Sequence, residues 1–436
     1  MSRSPLESRL GQAGLAAYRL GTHLARPFVP FLLSRRQARG KEDAARLEER
    51  RGHASLPRPE GALIWFHCAS VGEALSVLTL LRRLRDLRPD VSLLVTSGTV
   101  TSAQMMAERL PEGVVHQYVP LDHPAYCKRF LDHWRPDLAV WVESEFWPNL
   151  LDTTRAKTIP MALVNARMSL RSFRSWRRAR ALFAVLIDYF SLCLAQDETS
   201  AERMRALGAD QVDVEGNLKL DAEPLPVDAP AFEAFQSQVG NRPLWVAAST
   251  HEGEEDRVGQ VHLSLRAKYP GLLTVIAPRH PARGGEIADS LRRQELIVAQ
   301  RSAGEALAAC DIYLADTLGE LGLFFRAAPI VLLGGSLVPH GGHNPQEPAQ
   351  LGCALLFGPH MHNFAEMAAA LTDSGGARQV ASQEALAAEV DRLLGDEKAC
   401  TDIAQRARDA ALTQQGVTDR VAMRLIDLLN MEADRA

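Results

Sequence analysis

An α/β chain with two parallel-sheet domains is what this sequence predicts. The chain has 436 residues, more than one ordinary domain holds. Its strand-like apolar runs fall into two series, with helically spaced segments between successive runs. A Pro- and acid-rich stretch, "KLDAEPLPVDAPAFEAF", separates the series and reads as a linker.

The first series is "ALIWFHC" (62–68), "VSLLVTS" (91–97), "LAVWVES" (138–144), "IPMALVN" (159–165) and "SLCLAQ" (191–196). The second is "LWVAAS" (244–249), "LLTVIAP" (272–278), "ELIVAQ" (295–300), "DIYLAD" (311–316), "IVLLGG" (330–335) and "CALLFG" (353–358). Continuous rather than alternating apolarity means strands covered on both faces, and intervening helices such as "ALSVLTLLRRLRDLRP" make the repeating unit β-α-β. The expected division is an N-terminal segment 1–40, a first domain 41–220, a linker 221–242, a second domain 243–410 and a C-terminal helix 411–436. Two such open sheets joined by a hinge predict an intervening cleft, with ligands beyond the carboxyl ends of the strands.

Charge is uneven. Residues 1–60 carry twelve Arg and Lys against six Asp and Glu, a net of +6, so the remainder holds −10 of the overall −4. A basic head on an acidic body points to an anionic surface such as phospholipid, while the overall charge gives no push toward nucleic acid. In residues 10–36, Leu10, Leu15, Tyr18, Leu24, Phe28, Phe31 and Leu32 can share one helix side opposite Arg19 and Arg26. The apolar run is too short to span a bilayer and is interrupted by Pro27 and Pro30, so an amphipathic helix lying in the headgroup layer is expected. Six scattered cysteines without a C-x-x-C pair predict reduced thiols, not a zinc site or a disulfide framework. No secretory signal is expected.

Small and polar residues cluster just after the strands. "HCASVGE" places Ala69, Ser70 and Gly72 where a ligand can approach the backbone, then presents Glu73 near a helix start. A carboxylate in a partly dry cleft can take a proton from a substrate hydroxyl; the competing reading is a charge that merely favours a helix dipole. In "DTLGEL", Asp316 or Thr317 is the expected N-cap and Gly319 leaves N–H groups for a phosphate oxygen. "GGHNPQEPA" sets Glu347 three residues after Asn344, suited to gripping ribose hydroxyls, and Arg279 in "PRHPAR" suits a phosphate. His340, His343, His360 and His362 lack the acidic or thiolate company of most metal sites, so no metal is expected. "NARMSLRSFRSWRRARALF" interleaves Arg167, Arg171, Arg174, Arg177, Arg178 and Arg180 with Phe173, Trp176 and Phe183, a mixture that fits an anionic, acyl-bearing molecule better than nucleic acid.

Taken in order, "HCASVGE", "VESEFWPNLL", "NARMSLRS", "GNLKLD", "ASTHEGEE", "PRHPAR", "GGSLVPHGGHNPQEPA" and "GPHMHNF" closely resemble the 3-deoxy-D-manno-octulosonic acid (Kdo) transferase family. The resemblance runs from about residue 60 to 370. It implies the GT-B glycosyltransferase fold, and a metal-independent, cofactor-free enzyme on the cytoplasmic side of the inner membrane. That enzyme moves Kdo from the donor CMP-Kdo to a lipid A precursor in lipopolysaccharide synthesis. By position, Glu73 matches the family's proton acceptor. Glu143 and Lys219 match residues that stabilise the transition state, with Glu145 a competitor for the first. Arg279 with His280, Gly319 with Glu320 and Leu321, and Asn344, Pro345, Gln346 and Glu347 match segments that hold CMP. The acceptor then belongs to the first domain and the CMP-sugar to the second. Cys68, Leu121 and Gln346 stand where the family has Ala, an aromatic and an apolar residue. The alternatives are another GT-B nucleotide-sugar transferase, a UDP-sugar 2-epimerase, or a non-catalytic lipid-binding protein.

Overall fold

The computed structural model describes residues 5–221, 224–413 and 416–433 and contains two compact units, Met1–Ala222 with Gly416–Ala436, and Glu223–Gln415. Each is an α/β unit around one seven-stranded, wholly parallel sheet.

In the first unit the strands are β1 (Leu63–Cys68), β2 (Ser92–Ser97), β3 (Val115–Tyr118), β4 (Leu138–Val142), β5 (Met161–Ala166), β6 (Leu192–Ala195) and β7 (Asp213–Val214). Their order is β3-β2-β1-β4-β5-β6-β7, so β1 sits where the direction of winding reverses. Alternation along β1 feeds two cores. Leu63 and Trp65 join Phe130, Trp141 and Phe183 on one sheet face, while Ile64 and Phe66 join Val77, Leu81 and Val140 on the other. That second core also takes Val421, Leu425 and Leu429 from the last helix, Val417–Ala433, so the C-terminal segment returns to the first unit.

The second unit has β8 (Leu244–Thr250), β9 (Leu273–Pro278), β10 (Val298–Gln300), β11 (Ile312–Leu314), β12 (Ile330–Leu333), β13 (Ala354–Phe357) and β14 (Ala377–Gln379), in the order β10-β11-β9-β8-β12-β13-β14. Trp245, Val261, Ile276, Ile312 and Leu356 anchor one of its cores.

The parallel strands expected from the apolar runs are present, and β3, β7 and β14 are additional. Of these, β7 is two exposed residues and β14 keeps one buried residue in three, so neither carries the apolar run that marks a central strand. The expected linker 221–242 is corrected. It contains a helix, Ala229–Val239, capped by Asp228 and anchored by Phe235, whose ring packs edge-on to Phe324 and against Tyr313. Pro230, in the first turn, starts this helix rather than breaking it.

At the N-terminus, helix α1 (Pro5–Ala25) is followed by a 3-10 turn, Arg26–Phe28, and α2 (Val29–Gln37). One side of α1 is docked. A Cβ at Gly11 would lie 2.3 Å from the Ala181 carbonyl oxygen, Leu15 is buried, the Tyr18 hydroxyl donates to Asp122 (2.9 Å), and Arg19 pairs with Asp152 (2.9 Å). The other side is bare: Leu6, Leu10, Leu20 and Leu24 are each more than half exposed, as are Phe28 of the 3-10 turn and Phe31 of α2. Leu15 and Tyr18 therefore belong to the docked side, not to the apolar face expected for them. The reason is that Gly11 and Leu15, four apart, lie one above the other along the contact with the Arg180–Ile187 helix. No helix among the described residues is long and apolar enough to cross a membrane.

Candidate functional site

In the first unit, β1 ends at Cys68 and helix α3 (Val71–Leu87) begins three residues later, so Glu73 lies in its first turn. Ser70 is the N-cap, accepting from the Glu73 N–H, and its hydroxyl donates back to Glu73 Oε1 at 2.7 Å. The Ala69 N–H donates to Oε2 at 2.7 Å. The arrangement is a variant of the capping box, with the Ala69 N–H in place of the N-cap's own, and it aims the carboxylate at the turn instead of leaving it to solvent. Glu73 is 7% exposed, and burial pushes its pKa up to about 7, Glu145 and Glu143 adding to the rise while the two donors resist it. Glu73 thus belongs to the cap of the helix, and its carboxyl is raised there toward neutrality. Gly72 beside it is exposed, with nothing within 4 Å of where a Cβ would stand.

Glu143 follows β4 and adopts φ +60°, a left-handed conformation that costs a non-glycine residue about 1–3 kcal/mol. Its N–H still pairs with the Val164 carbonyl (3.0 Å), and its carboxylate accepts from Lys219 Nζ at 2.8 Å. Glu145 instead accepts from the Trp147 indole (2.8 Å). The Lys219 segment is positioned by Asn165, which sits in a bulge between β5 and β6 at φ +52° and accepts from the Leu218 N–H (3.0 Å). Asp221 at the end of the same segment accepts from the Gly416 (2.8 Å) and Thr418 N–H groups, tying Lys219's turn to the last helix. Asn165 and Asp221 escaped the sequence reading; an Asn closing a strand was the only signal for the first.

The Arg-rich segment separates. Arg171, Arg174, Arg177 and Arg178 are exposed, but Phe173 and Trp176 pack on the core and Trp176 stacks against Phe146 and Phe183. The mixed basic and aromatic surface expected there is corrected to a mainly basic one, with Phe183 buried and Phe173 and Trp176 half-buried, because helical spacing leans the rings on the core while the guanidinium groups point out.

In the second unit, β8 leads through Ser249 (φ +57°) into the helix Glu254–Leu265. Glu254 is fully buried and accepts four backbone N–H bonds, from His251 (2.9 Å), Gly335 (2.7 Å), Ser336 (3.1 Å) and Leu337 (2.9 Å). It staples the loop after β12 to the end of β8. That loop carries His340 and His343 to His251: the Nε2 atoms of His251 and His343 are 2.9 Å apart, and the His251 and His340 ring centroids 3.7 Å. His280 approaches edge-on at 5.9 Å. Burial first, then neighbouring imidazoles and Arg279, lower both His251 and His343 to about 4, so both rings are uncharged at neutral pH. His251 and Glu254 were not singled out from sequence, although "ASTHEGEE" contains both. Among the described residues no group of three or more His, Cys, Asp or Glu side chains is arranged to hold a metal ion.

Of the CMP-segment residues, Arg279 and His280 are exposed just after β9, with the Arg279 N–H on the Thr250 carbonyl (3.0 Å). Asn344 donates to Glu347 Oε1 (3.2 Å), and burial raises the Glu347 carboxyl. Pro345 is buried as the N-cap of the short helix Gln346–Gln350. The Gln346 side chain turns away and donates to the Ala411 carbonyl (3.1 Å), which accounts for a polar residue where the family has an apolar one. Gly319 (φ +85°) precedes Glu320 and Leu321, and Glu320 is gripped by Arg301 and Thr317, which holds its carboxyl below the usual range. The expected cap is corrected: Asp316 accepts instead from Ser302 N–H (2.9 Å) and Oγ (2.6 Å) and from Gln300 (3.1 Å), and Glu320 occupies the N-cap of Leu321–Ala327. The pull of Ser302 and Gln300, remote in sequence, decides it.

A family model described as 3-deoxy-D-manno-octulosonic-acid transferase (kdotransferase) matches residues 45–222. A probable mitochondrial 3-deoxy-D-manno-octulosonic acid transferase of Arabidopsis thaliana is 35% identical over 400 residues, covering 89% of this chain and 90% of its own. The 3-deoxy-D-manno-octulosonic acid transferase of Haemophilus influenzae is 34% identical, covering 88% and 90%. Among solved structures, a glycosyltransferase from Rickettsia africae (TM-score 0.60, 10% identity, 87% of this chain and 100% of that one) shares the fold. So does the UDP-GlcNAc 2-epimerase of Neisseria meningitidis (TM-score 0.55, 16% identity, 81% and 97%). With 35% identity to one such relative over 89% of this chain and 90% of that one, this chain belongs to the 3-deoxy-D-manno-octulosonic acid transferase family of glycosyltransferases.

Proposed function

We propose that the chain transfers Kdo from CMP-Kdo to a lipid A precursor in lipopolysaccharide synthesis, by direct displacement with inversion. The observation that carries this reading is the buried Glu73 carboxyl, raised to about 7 at the carboxyl end of β1. As an acceptor hydroxyl oxygen bonds to the anomeric carbon, its proton passes to Glu73, and the bond from that carbon to the CMP phosphate breaks with both electrons leaving on CMP. Lys219, held by Glu143, supplies positive charge for the transition state. Arg279, His280 and the N–H groups around Gly319, Glu320 and Leu321 receive the cytidylate phosphate, and Asn344 with Glu347 receives ribose hydroxyls. In this scheme Pro345 and Gln346 act by shaping the turn, since the Gln346 side chain is engaged elsewhere. No metal or cofactor is required, because guanidinium and ammonium groups carry the positive charge.

The bare apolar side chains of α1, the 3-10 turn and α2 support a peripheral seat on the cytoplasmic side of the inner membrane, whose acyl boundary accepts Leu6, Leu10, Leu20, Leu24, Phe28 and Phe31. The test of function is to incubate the protein with CMP-Kdo and a lipid A precursor and weigh the lipid product. Glu73→Ala should lower turnover about 10²- to 10⁴-fold while CMP binding persists. Turnover equal to that of the unsubstituted protein would sink the assignment.

A further inference from the structure

A cavity of about 470 Å³ lies in the first unit where the 3-10 turn meets the helix Pro124–Trp134 and the segment Ala44–Arg51, and no role described above uses it. It opens broadly to solvent, with Arg26, Pro27 and Pro30 exposed along its rim. Three arginines line it: Arg26, Arg51 and Arg129. The only carboxylate in the lining is Glu48, which is paired with Arg51 (2.5 Å) and 3.9 Å from His53. Among the described residues no carboxylate pairs with Arg26 or Arg129, so the cavity holds an excess of positive charge.

The cavity is built, not incidental. Gly52 (φ +83°) packs so closely on the Pro124–Trp134 helix that a Cβ there would lie 2.2 Å from the Tyr126 carbonyl oxygen. That approach sets Arg51 and His53 beside Tyr126. The Arg51 carbonyl then accepts from Arg129 Nη1 at 2.6 Å, which fixes the second guanidinium. Pro27 and Pro30, three residues apart, form one wall, and Phe28 and Phe31, one position further on, face solvent on the adjoining side. Positive charge thus lies next to exposed aromatic rings, the combination that meets a phosphate and the acyl chains attached to it.

We infer that this cavity binds the phosphate headgroup of an anionic membrane lipid, with Arg26 and Arg129 as its principal ligands and the chains lying along Leu24, Phe28 and Phe31. It rests on the membrane seat proposed above for α1 and α2 and adds headgroup selectivity to it. Guanidinium suits a phosphate because it offers several donors in a fixed fork. The inference is independent of the transferase reading, since binding needs neither donor nor acceptor.

The experiment is flotation of the full chain with vesicles of phosphatidylcholine alone, and of phosphatidylcholine containing phosphatidylglycerol as a minor component. The expected result is tighter binding to the second. Arg26→Gln with Arg129→Gln should weaken it about 25-fold, at roughly 5-fold per arginine, and leave binding to neutral vesicles unchanged. Arg35→Gln with Arg39→Gln removes the same charge from exposed positions outside the cavity and should cost at most about 3-fold. A melting curve checks folding; should the double variant fail to fold, Arg26→Gln alone, at an exposed residue, carries the test with about a 5-fold loss. Equal losses from the two pairs, or no preference of the unsubstituted protein for phosphatidylglycerol, overturns the cavity while leaving the membrane seat intact. Release from anionic vesicles by millimolar glycerol phosphate, at constant ionic strength, overturns the lipid as its source of phosphate. Failure to bind either vesicle overturns both the cavity and the seat, and says nothing against sugar transfer.

Discussion

Each unit places a buried glutamate in the first turn of the helix that follows its first strand, and the two have opposite fates. Glu254, in the second unit, is surrounded by four backbone N–H groups. Such a carboxylate is a staple that holds the loops carrying His251, His340 and His343. Glu73, in the first unit, has two donors and two acidic neighbours, and its carboxyl is raised to about 7. Burial is common to both; the two differ in the count and sign of the groups around them, four backbone donors at Glu254 against two donors and two acids at Glu73, and at Glu73 burial raises the carboxyl.

The largest effect expected from this contrast is on chemistry. Glu73→Gln should lower kcat for Kdo transfer by about 10²- to 10⁴-fold with little change in CMP affinity, measured by product mass and by nucleotide titration. A variant that turns over normally would make Glu73 as structural as Glu254. Next, Glu254→Gln should destabilise folding by about 3 kcal/mol in chemical denaturation, because an amide brings its own N–H groups against four others. Loss of activity without loss of stability there would break the comparison from the other side.

A third expectation concerns pH. Activity should rise with pH through about 7 as Glu73 ionises, and Glu73→Gln should abolish that limb. Stability should move the other way. The folded-state pKa lies above the ordinary value of 4.5, so the stability linked to this group is fully present below 4.5 and is lost as pH rises through about 7. The unsubstituted protein should therefore lose stability relative to Glu73→Gln across that window, and parallel melting curves at each pH would contradict the assignment. The smallest effect is expected at Asn344→Ala, which removes a neutral group with one side-chain partner, Glu347, and should raise KM for the donor about 5-fold at nearly constant kcat.

The legibility of the two units differed for the same reason. Central strands such as β1 and β4 were visible because burial on both faces demands an unbroken apolar run, and the motifs were visible because they follow those runs. Edge strands β7 and β14 were not, since an edge needs no such run. Glu73 was found because one acid stands among small residues; Glu254 was hidden among the acids of "HEGEE". The inward turn of Phe173 and Trp176 was missed because their spacing shows that they share a side of the helix, but not which side the core lies on.

By itself the sequence determined the two α/β units, the parallel pairing and the isolated acid Glu73, which rest on local pattern, and the family resemblance, which singled out Glu143 and Lys219. Only the tertiary structure decided that Lys219 reaches Glu143 and that Arg301 occupies Glu320. It also decided that four imidazoles meet beside Arg279 and that Arg26 and Arg129 line one cavity. Those pairings join residues distant in the chain, and the energy of a charge depends on which groups folding brings within a few ångströms of it.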